Sequence, residues 1–171
     1  MSKYSVPEFV KRKWVKNTIQ VLVLLIIFIS VRAYTQRGLA KDLAPGFSAS
    51  LLTGTQIDLE QYRGKPVLLH FWASWCSVCA LEQDTIQSLS QDYKVLTVAM
   101  NSGEAMEVAA YLEEKGLDYP TIADPDGQLA RRYGVRGVPS SFFIDSHGYI
   151  QFIEVGFTSE WGMRGRLWWL R

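Results

Sequence analysis

Apolar residues fall along this chain in blocks of different length, and each length predicts a different element. The longest uncharged stretch runs from Asn17 to Val31 and includes the unbroken run Val21-Leu22-Val23-Leu24-Leu25-Ile26-Ile27-Phe28-Ile29. A helix of that length reaches roughly 22 Å, against a hydrocarbon core of about 30 Å. Lys16 and Arg32 can snorkel to make up the difference, and Trp14 and Tyr34 can mark the two interfaces. The pattern predicts one transmembrane helix over residues 17–33, after a basic tail at 1–16. A cleaved signal peptide is the alternative, with small residues at Val31-Arg32-Ala33 and Gly38-Leu39-Ala40. Lys3, Lys11, Arg12, Lys13 and Lys16 precede the span, so the positive-inside bias puts the tail in the cytoplasm and the rest outside.

Residues 34–46 are expected to be a polar linker ending at Pro45-Gly46, with one domain over 47–171. Phe47 to Leu59 has the pattern of two short strands about Thr53-Gly54. Val67 to Trp72 is apolar on both faces, as a strand covered on both sides should be. Ala80 to Leu89 predicts a helix, Val95 to Met100 a second buried strand, and Asn101 to Gly116 a helix. Asn101 and Glu104 have capping-box spacing, and Ala105, Val108, Ala109 and Leu112 form the apolar stripe of that helix. Asp124-Pro125-Asp126-Gly127 reads as a turn and Gln128 to Tyr133 as a short helix. Ser141 to Asp145 and Tyr149 to Val155 pair as an antiparallel hairpin, and Thr158 or Ser159 caps a last helix reaching Leu170.

Composition narrows this picture only a little. A net charge of +1 over 171 residues gives no electrostatic case for nucleic acid. The two cysteines change it more, because both lie in Trp75-Cys76-Ser77-Val78-Cys79, between a predicted strand and a predicted helix. Unpaired N–H groups at a helix start favour an anion, here a thiolate, which is the reactive form of cysteine. Two intervening residues let both sulfurs share one helical turn. The same spacing can be half of a zinc site, but the chain offers only His70 and His147 as further nitrogen ligands. A purely structural disulfide is the other alternative, although so small a loop removes little unfolded-state entropy.

With Phe71-Trp72-Ala73-Ser74-Trp75-Cys76-Ser77-Val78-Cys79 and Gly137-Val138-Pro139-Ser140-Ser141-Phe142-Phe143-Ile144-Asp145 together, the chain resembles thioredoxin-fold proteins. Within them it resembles the membrane-anchored, extracytoplasmic oxidoreductases of the TlpA, ResA and DsbE type, with the suppressor-for-copper-sensitivity D proteins as a candidate branch. The resemblance covers about residues 43–171. It implies an α/β thioredoxin fold with an N-terminal β-hairpin and a central strand–helix insertion at 95–116. It also implies Cys76 as exposed nucleophile, Cys79 as buried resolving thiol, and Pro139 as a cis-proline facing their disulfide. Val138 and Trp75 would hold the substrate, the backbone at Val138 pairing with it as an added strand. Glu104 resembles the active-site acid of the inserted unit. His70 stands where thioredoxins carry a buried acid, and a histidine there can exchange a proton near neutral pH.

The activity implied is thiol–disulfide exchange on client proteins, in a cytochrome c maturation or copper-stress role. A membrane electron donor would re-reduce the pair, and no cofactor is called for. The expected setting is the inner membrane, single-pass, with the domain in the periplasm. Ser77-Val78 adds no positive charge beside Cys76, so no extreme oxidising potential is expected. Dithiol oxidation in the reverse direction and copper binding by the same thiols stay open as alternatives.

Overall fold

The computed structural model describes residues 8–171, with side chains from Val15 onward. The chain forms two compact units, residues 1–37 and 38–171. In the first, α1 spans Glu8–Thr35. Its apolar window, Val15–Thr35, has 21 residues and is exposed throughout. Such a helix covers about 30 Å, enough to cross a bilayer. The first seven residues of the predicted basic tail, and the side chains of residues 8–14, lie outside the described residues.

The second unit is built on a mixed sheet of six strands. These are β1 (Asp42–Leu43), β4 (Val67–Trp72), β5 (Lys94–Met100), β6 (Thr121–Asp124), β7 (Ser140–Ile144) and β8 (Tyr149–Val155). Their order is β1-β8-β7-β4-β5-β6. Strands β4, β5 and β6 run parallel, while β7 and β8 are antiparallel to their neighbours. A separate hairpin pairs β2 (Ser48–Ser50) with β3 (Gln56–Asp58), as the alternation about Thr53-Gly54 predicted.

Alternation along β4 organises the core. Val67, Leu69 and Phe71 face a cluster with Phe142, Ile144, Leu96, Val98 and Tyr133. Tyr133 comes from the short helix α5 (Gln128–Arg132) and its C-cap, and its hydroxyl donates to the Pro45 carbonyl at 2.8 Å. Leu68 and Trp72 face the other cluster, which includes Ile86, Leu89, Val108, Leu112, Met163 and Leu167. Those residues come from α3 (Gln83–Asp92), α4 (Ala105–Lys115) and α6 (Glu160–Trp169). Both faces are therefore covered, which explains why β4 is apolar on both faces apart from His70. Each such fully buried side chain contributes about 1.5–3 kcal/mol of transfer free energy.

Three expectations need correction. The stretch assigned to a linker belongs in part to the folded unit. Leu39 and Ala44 are buried, Ala40 donates to the Tyr133 carbonyl, and β1 pairs with β8. The helix expected over 80–89 is two pieces, α2 (Ser77–Ala80) and α3, separated at Leu81-Glu82. The α4 helix starts at Ala105 with Glu104 as its N-cap, and the reciprocal residue is Glu107, whose Oε2 accepts the Glu104 N–H at 2.7 Å. Asn101 lies outside the helix with a φ of 48°. The C-terminal end does follow the sequence, with Gly116 in the left-handed conformation that closes a helix.

Candidate active site

The parallel strand β4 ends at Trp72, and the loop Ala73–Trp75 delivers Cys76 to the N-cap of α2. Two bonds hold that loop against the β5–α4 connection. The Ser74 N–H donates to Ser102 Oγ at 3.0 Å, and the Trp75 indole N–H donates to the Asn101 carbonyl at 3.0 Å. The Trp75 ring itself remains 62% exposed beside the cysteines. Cys76 is half-buried and Cys79 is 2% exposed, and the two form a disulfide with Cα atoms 5.2 Å apart.

The backbone N–H of Cys79 points at Cys76 Sγ, at 3.1 Å. A four-residue α2 has little macrodipole, so this N–H, rather than a long helix, is what favours negative charge on Cys76. Across the gap stands the loop before β7. The Val138–Pro139 peptide is cis, and the Val138 carbonyl oxygen lies 3.6 Å from Cys76 Sγ. The outer sulfur, the cis-proline and a backbone acceptor thus meet at one place, as the two sequence motifs implied.

His70 and Glu104 part company in the structure. His70 is 2% exposed in the middle of β4, and its Nδ1 is 2.9 Å from Ser141 Oγ on the neighbouring strand. Its Nε2 lies 4.0 Å from Glu82 Oε2. Glu104 is exposed and is the N-cap of α4. The acid buried beside His70 is Glu82, 1% exposed, which the two sequence motifs do not include. Its Oε1 accepts the Thr158 N–H, while Oε2 has no hydrogen-bond partner. A signal was present: Cys79, Glu82, Ile86 and Leu89 follow at helical spacing, and the other three are buried. An acid on that stripe has to point inward.

Burial disfavours charge on both partners. It pushes the Glu82 carboxyl up to about 7 and the His70 imidazole down to about 3. The pair therefore holds one proton across the acid range, on the carboxyl, and releases it near neutral pH.

The comparisons agree with this geometry. Residues 40–153 match the AhpC/TSA family. A thioredoxin-like protein of Haemophilus influenzae is 30% identical over 158 residues, covering 91% of this chain and 94% of that protein. The thiol-disulfide oxidoreductase ResA of Geobacillus thermodenitrificans is 37% identical over 117 residues, covering 66% of this chain and 67% of that one. Among solved structures, a thiol:disulfide interchange protein DsbE from Chlorobium tepidum superposes with a TM-score of 0.70 at 29% identity, over 77% of this chain and 98% of its own. The exposed lipoprotein thioredoxin Etrx1 of Streptococcus pneumoniae gives 0.63 at 35% identity, over 74% and 100%. On this fold, with Cys76 and Cys79 joined beside a cis-proline, the chain belongs to the AhpC/TSA family as a thioredoxin-like thiol–disulfide oxidoreductase of the DsbE/ResA type.

Proposed function

We propose that the chain reduces disulfides in client proteins on the outer side of the inner membrane. Cys76 as thiolate attacks one sulfur of a client disulfide, breaking that bond, forming a mixed disulfide and freeing the other client sulfur as a thiolate. The Cys79 thiol loses its proton and attacks Cys76 Sγ, which releases the second client sulfur and leaves Cys76–Cys79 oxidised. Two electrons pass to the client, and a membrane electron donor returns them to the pair. The observation that carries this reading is the placement of Cys76 Sγ 3.6 Å from the Val138 carbonyl, next to cis-Pro139. A client segment pairing with that backbone brings its disulfide to the outer sulfur, with Trp75 as an exposed apolar contact. The reduction potential tests the direction. Equilibration with glutathione should give a value well below about −180 mV, whereas one near −120 mV would mark an oxidant.

Glu82 is the group suited to take the Cys79 proton, since it sits one turn beyond Cys79 and titrates near neutral pH. Glu82→Gln is accordingly expected to displace the thiolate absorbance titration of the reduced pair, and His70→Asn to displace it less. Glu104→Gln should superimpose on wild type. A displaced Glu104→Gln curve would restore that residue to the site.

The role of α1 as an uncleaved anchor rests on its exposed 21-residue apolar window. Full-length protein should stay with membranes through high-salt and alkaline washing, and protease added outside should digest the domain. Recovery of a soluble chain starting near Tyr34 or Lys41 would mean a cleaved signal instead.

A further inference from the structure

Of the tryptophans whose side chains are described, three have no part in the redox site or the core, and they share one helix. Trp161, Trp168 and Trp169 of α6 are 85%, 66% and 73% exposed. At spacings of seven and eight residues they lie on one side of the helix, while Met163 and Leu167, both fully buried, lie on the other. Gly165, with open space where a Cβ would stand, leaves the surface between the first and second tryptophans low. A tryptophan carries about 150–250 Å² of mostly apolar area. Three on one face make a patch of several hundred Å², at the upper end of what a monomeric domain leaves in water and of the size that marks an interaction surface.

The charges around α6 say what covers it. The acids beside the helix are each held by an arginine. Asp92 and Glu160 pair with Arg164 at 2.7 and 2.8 Å, and Glu154 pairs with Arg166 at 2.5 Å. At the C-terminal end, Lys65, Lys94 and Arg171 border one surface hollow with Tyr93 and the Arg164-paired Asp92, and Arg171 lies 4.8 Å from the Tyr93 ring centroid. Among the described residues no carboxylate pairs with these three cations. Indoles beside unneutralised Lys and Arg are the composition of a helix lying in a membrane interface. The ring buries its body at headgroup depth and keeps its N–H wet, while the cations meet lipid phosphates. The chain also carries a helix long and apolar enough to cross a bilayer, so that surface would be within reach at high effective concentration.

We propose that the outer face of α6 docks on an anionic bilayer through Trp161, Trp168 and Trp169, with Lys65, Lys94 and Arg171 on the headgroup phosphates. The proposal relies on the anchor reading of α1 for proximity alone.

Full-length protein is reconstituted into vesicles whose acyl chains are brominated, with either phosphatidylglycerol or phosphatidylcholine headgroups. Tryptophan quenching reports docking, and retention through an alkaline wash reports α1 separately. Quenching should be stronger on phosphatidylglycerol and, with Trp14 of the anchor changed to Phe throughout, should fall to background when Trp161, Trp168 and Trp169 are all changed to Ser. Lys65→Gln and Lys94→Gln should each lower the docked-to-free ratio by roughly fivefold at low salt. Disulfide reductase activity towards a soluble substrate should persist in these variants, which verifies their fold. Equal quenching in wild type and the triple variant, with the chain retained, overturns the docking and leaves the anchor standing. A chain that washes off, yet binds added phosphatidylglycerol vesicles only with its tryptophans intact, overturns the anchor and upholds the docking. Cross-links between α6 helices that grow with the protein-to-lipid ratio would make the occupant a second copy and overturn the proposal.

Discussion

Cys79→Ala is expected to accumulate on its clients as mixed disulfides, while Cys76→Ala accumulates none. The asymmetry follows from burial and one hydrogen bond. Cys76 is half-buried and faces the Val138 carbonyl, where a client backbone can lie alongside it. Cys79 is 2% exposed and reaches no client sulfur directly. The Cys79 N–H directed at Cys76 Sγ favours a thiolate there, and each pKa unit of depression is worth about 1.4 kcal/mol. Removing Cys79 leaves the first attack intact and deletes the intramolecular release step. Since an intramolecular thiol acts at a very high effective concentration, its loss should lengthen the life of the mixed disulfide by orders of magnitude. Non-reducing gels of the two variants, followed by identification of the trapped partners, give the measurement. Equal trapping by both variants would contradict the division of roles, and full cellular function in both would contradict redox chemistry by this pair.

The second large effect is a flat stretch in stability against pH that a single substitution tilts. Burial raises Glu82 from 4.5 to about 7, so its contribution is fully present below about pH 4.5 and is lost as pH rises to about 7. Burial lowers His70 from 6.5 to about 3, so its contribution is present above pH 6.5 and is lost as pH falls toward 3. Between about pH 4.5 and 6.5 the folded pair holds one proton, on Glu82, and the unfolded pair also holds one, on His70. The two slopes cancel there. His70→Asn removes one of them, so the variant should gain stability relative to wild type as pH falls, at about 1.4 kcal/mol per unit, reaching roughly 3 kcal/mol. Glu82→Gln should show the opposite tilt, losing stability relative to wild type as pH falls below 6.5. Urea unfolding of oxidised, detergent-solubilised protein at several pH values measures both differences, and the background from other carboxylates drops out of the comparison. Parallel curves for wild type and both variants would mean that the pair does not titrate as a unit.

The outline of the site was legible because its parts are local. A strand ending in Trp72, a Cys-x-x-Cys turn and a Val-Pro step before another strand each leave a signature within a few residues. What escaped depended on partners distant in sequence. Two residues, Asp42 and Leu43, show no periodicity, so β1 is defined only by Ile150 and Tyr149 opposite it. Glu82 sits beside Gln83 and Asp84, a context that reads as solvated. Its burial comes from His70 on β4 and from the Thr158 backbone ahead of α6. The single helix expected after the cysteines failed for the same reason, since no residue between Ala80 and Gln83 is a glycine or proline that would announce a break. The start of α4 was misplaced by a cap: the spacing of Asn101 and Glu104 suggested a box, whereas the reciprocal pair is Glu104 and Glu107.

The segment before the central strands also protects the sheet from its own margins. On one side Asp42 and Leu43 cover the start of β8, and on the other Leu51 bridges Ile122 while the Leu52 N–H bonds the Thr121 carbonyl of β6. Without them, the two outermost strands would present open rows of N–H and C=O groups to any neighbouring chain. A soluble fragment begun at Phe47 would bare the β8 side and invite strand-to-strand aggregation, whereas one begun at Gly38 would carry its own cover.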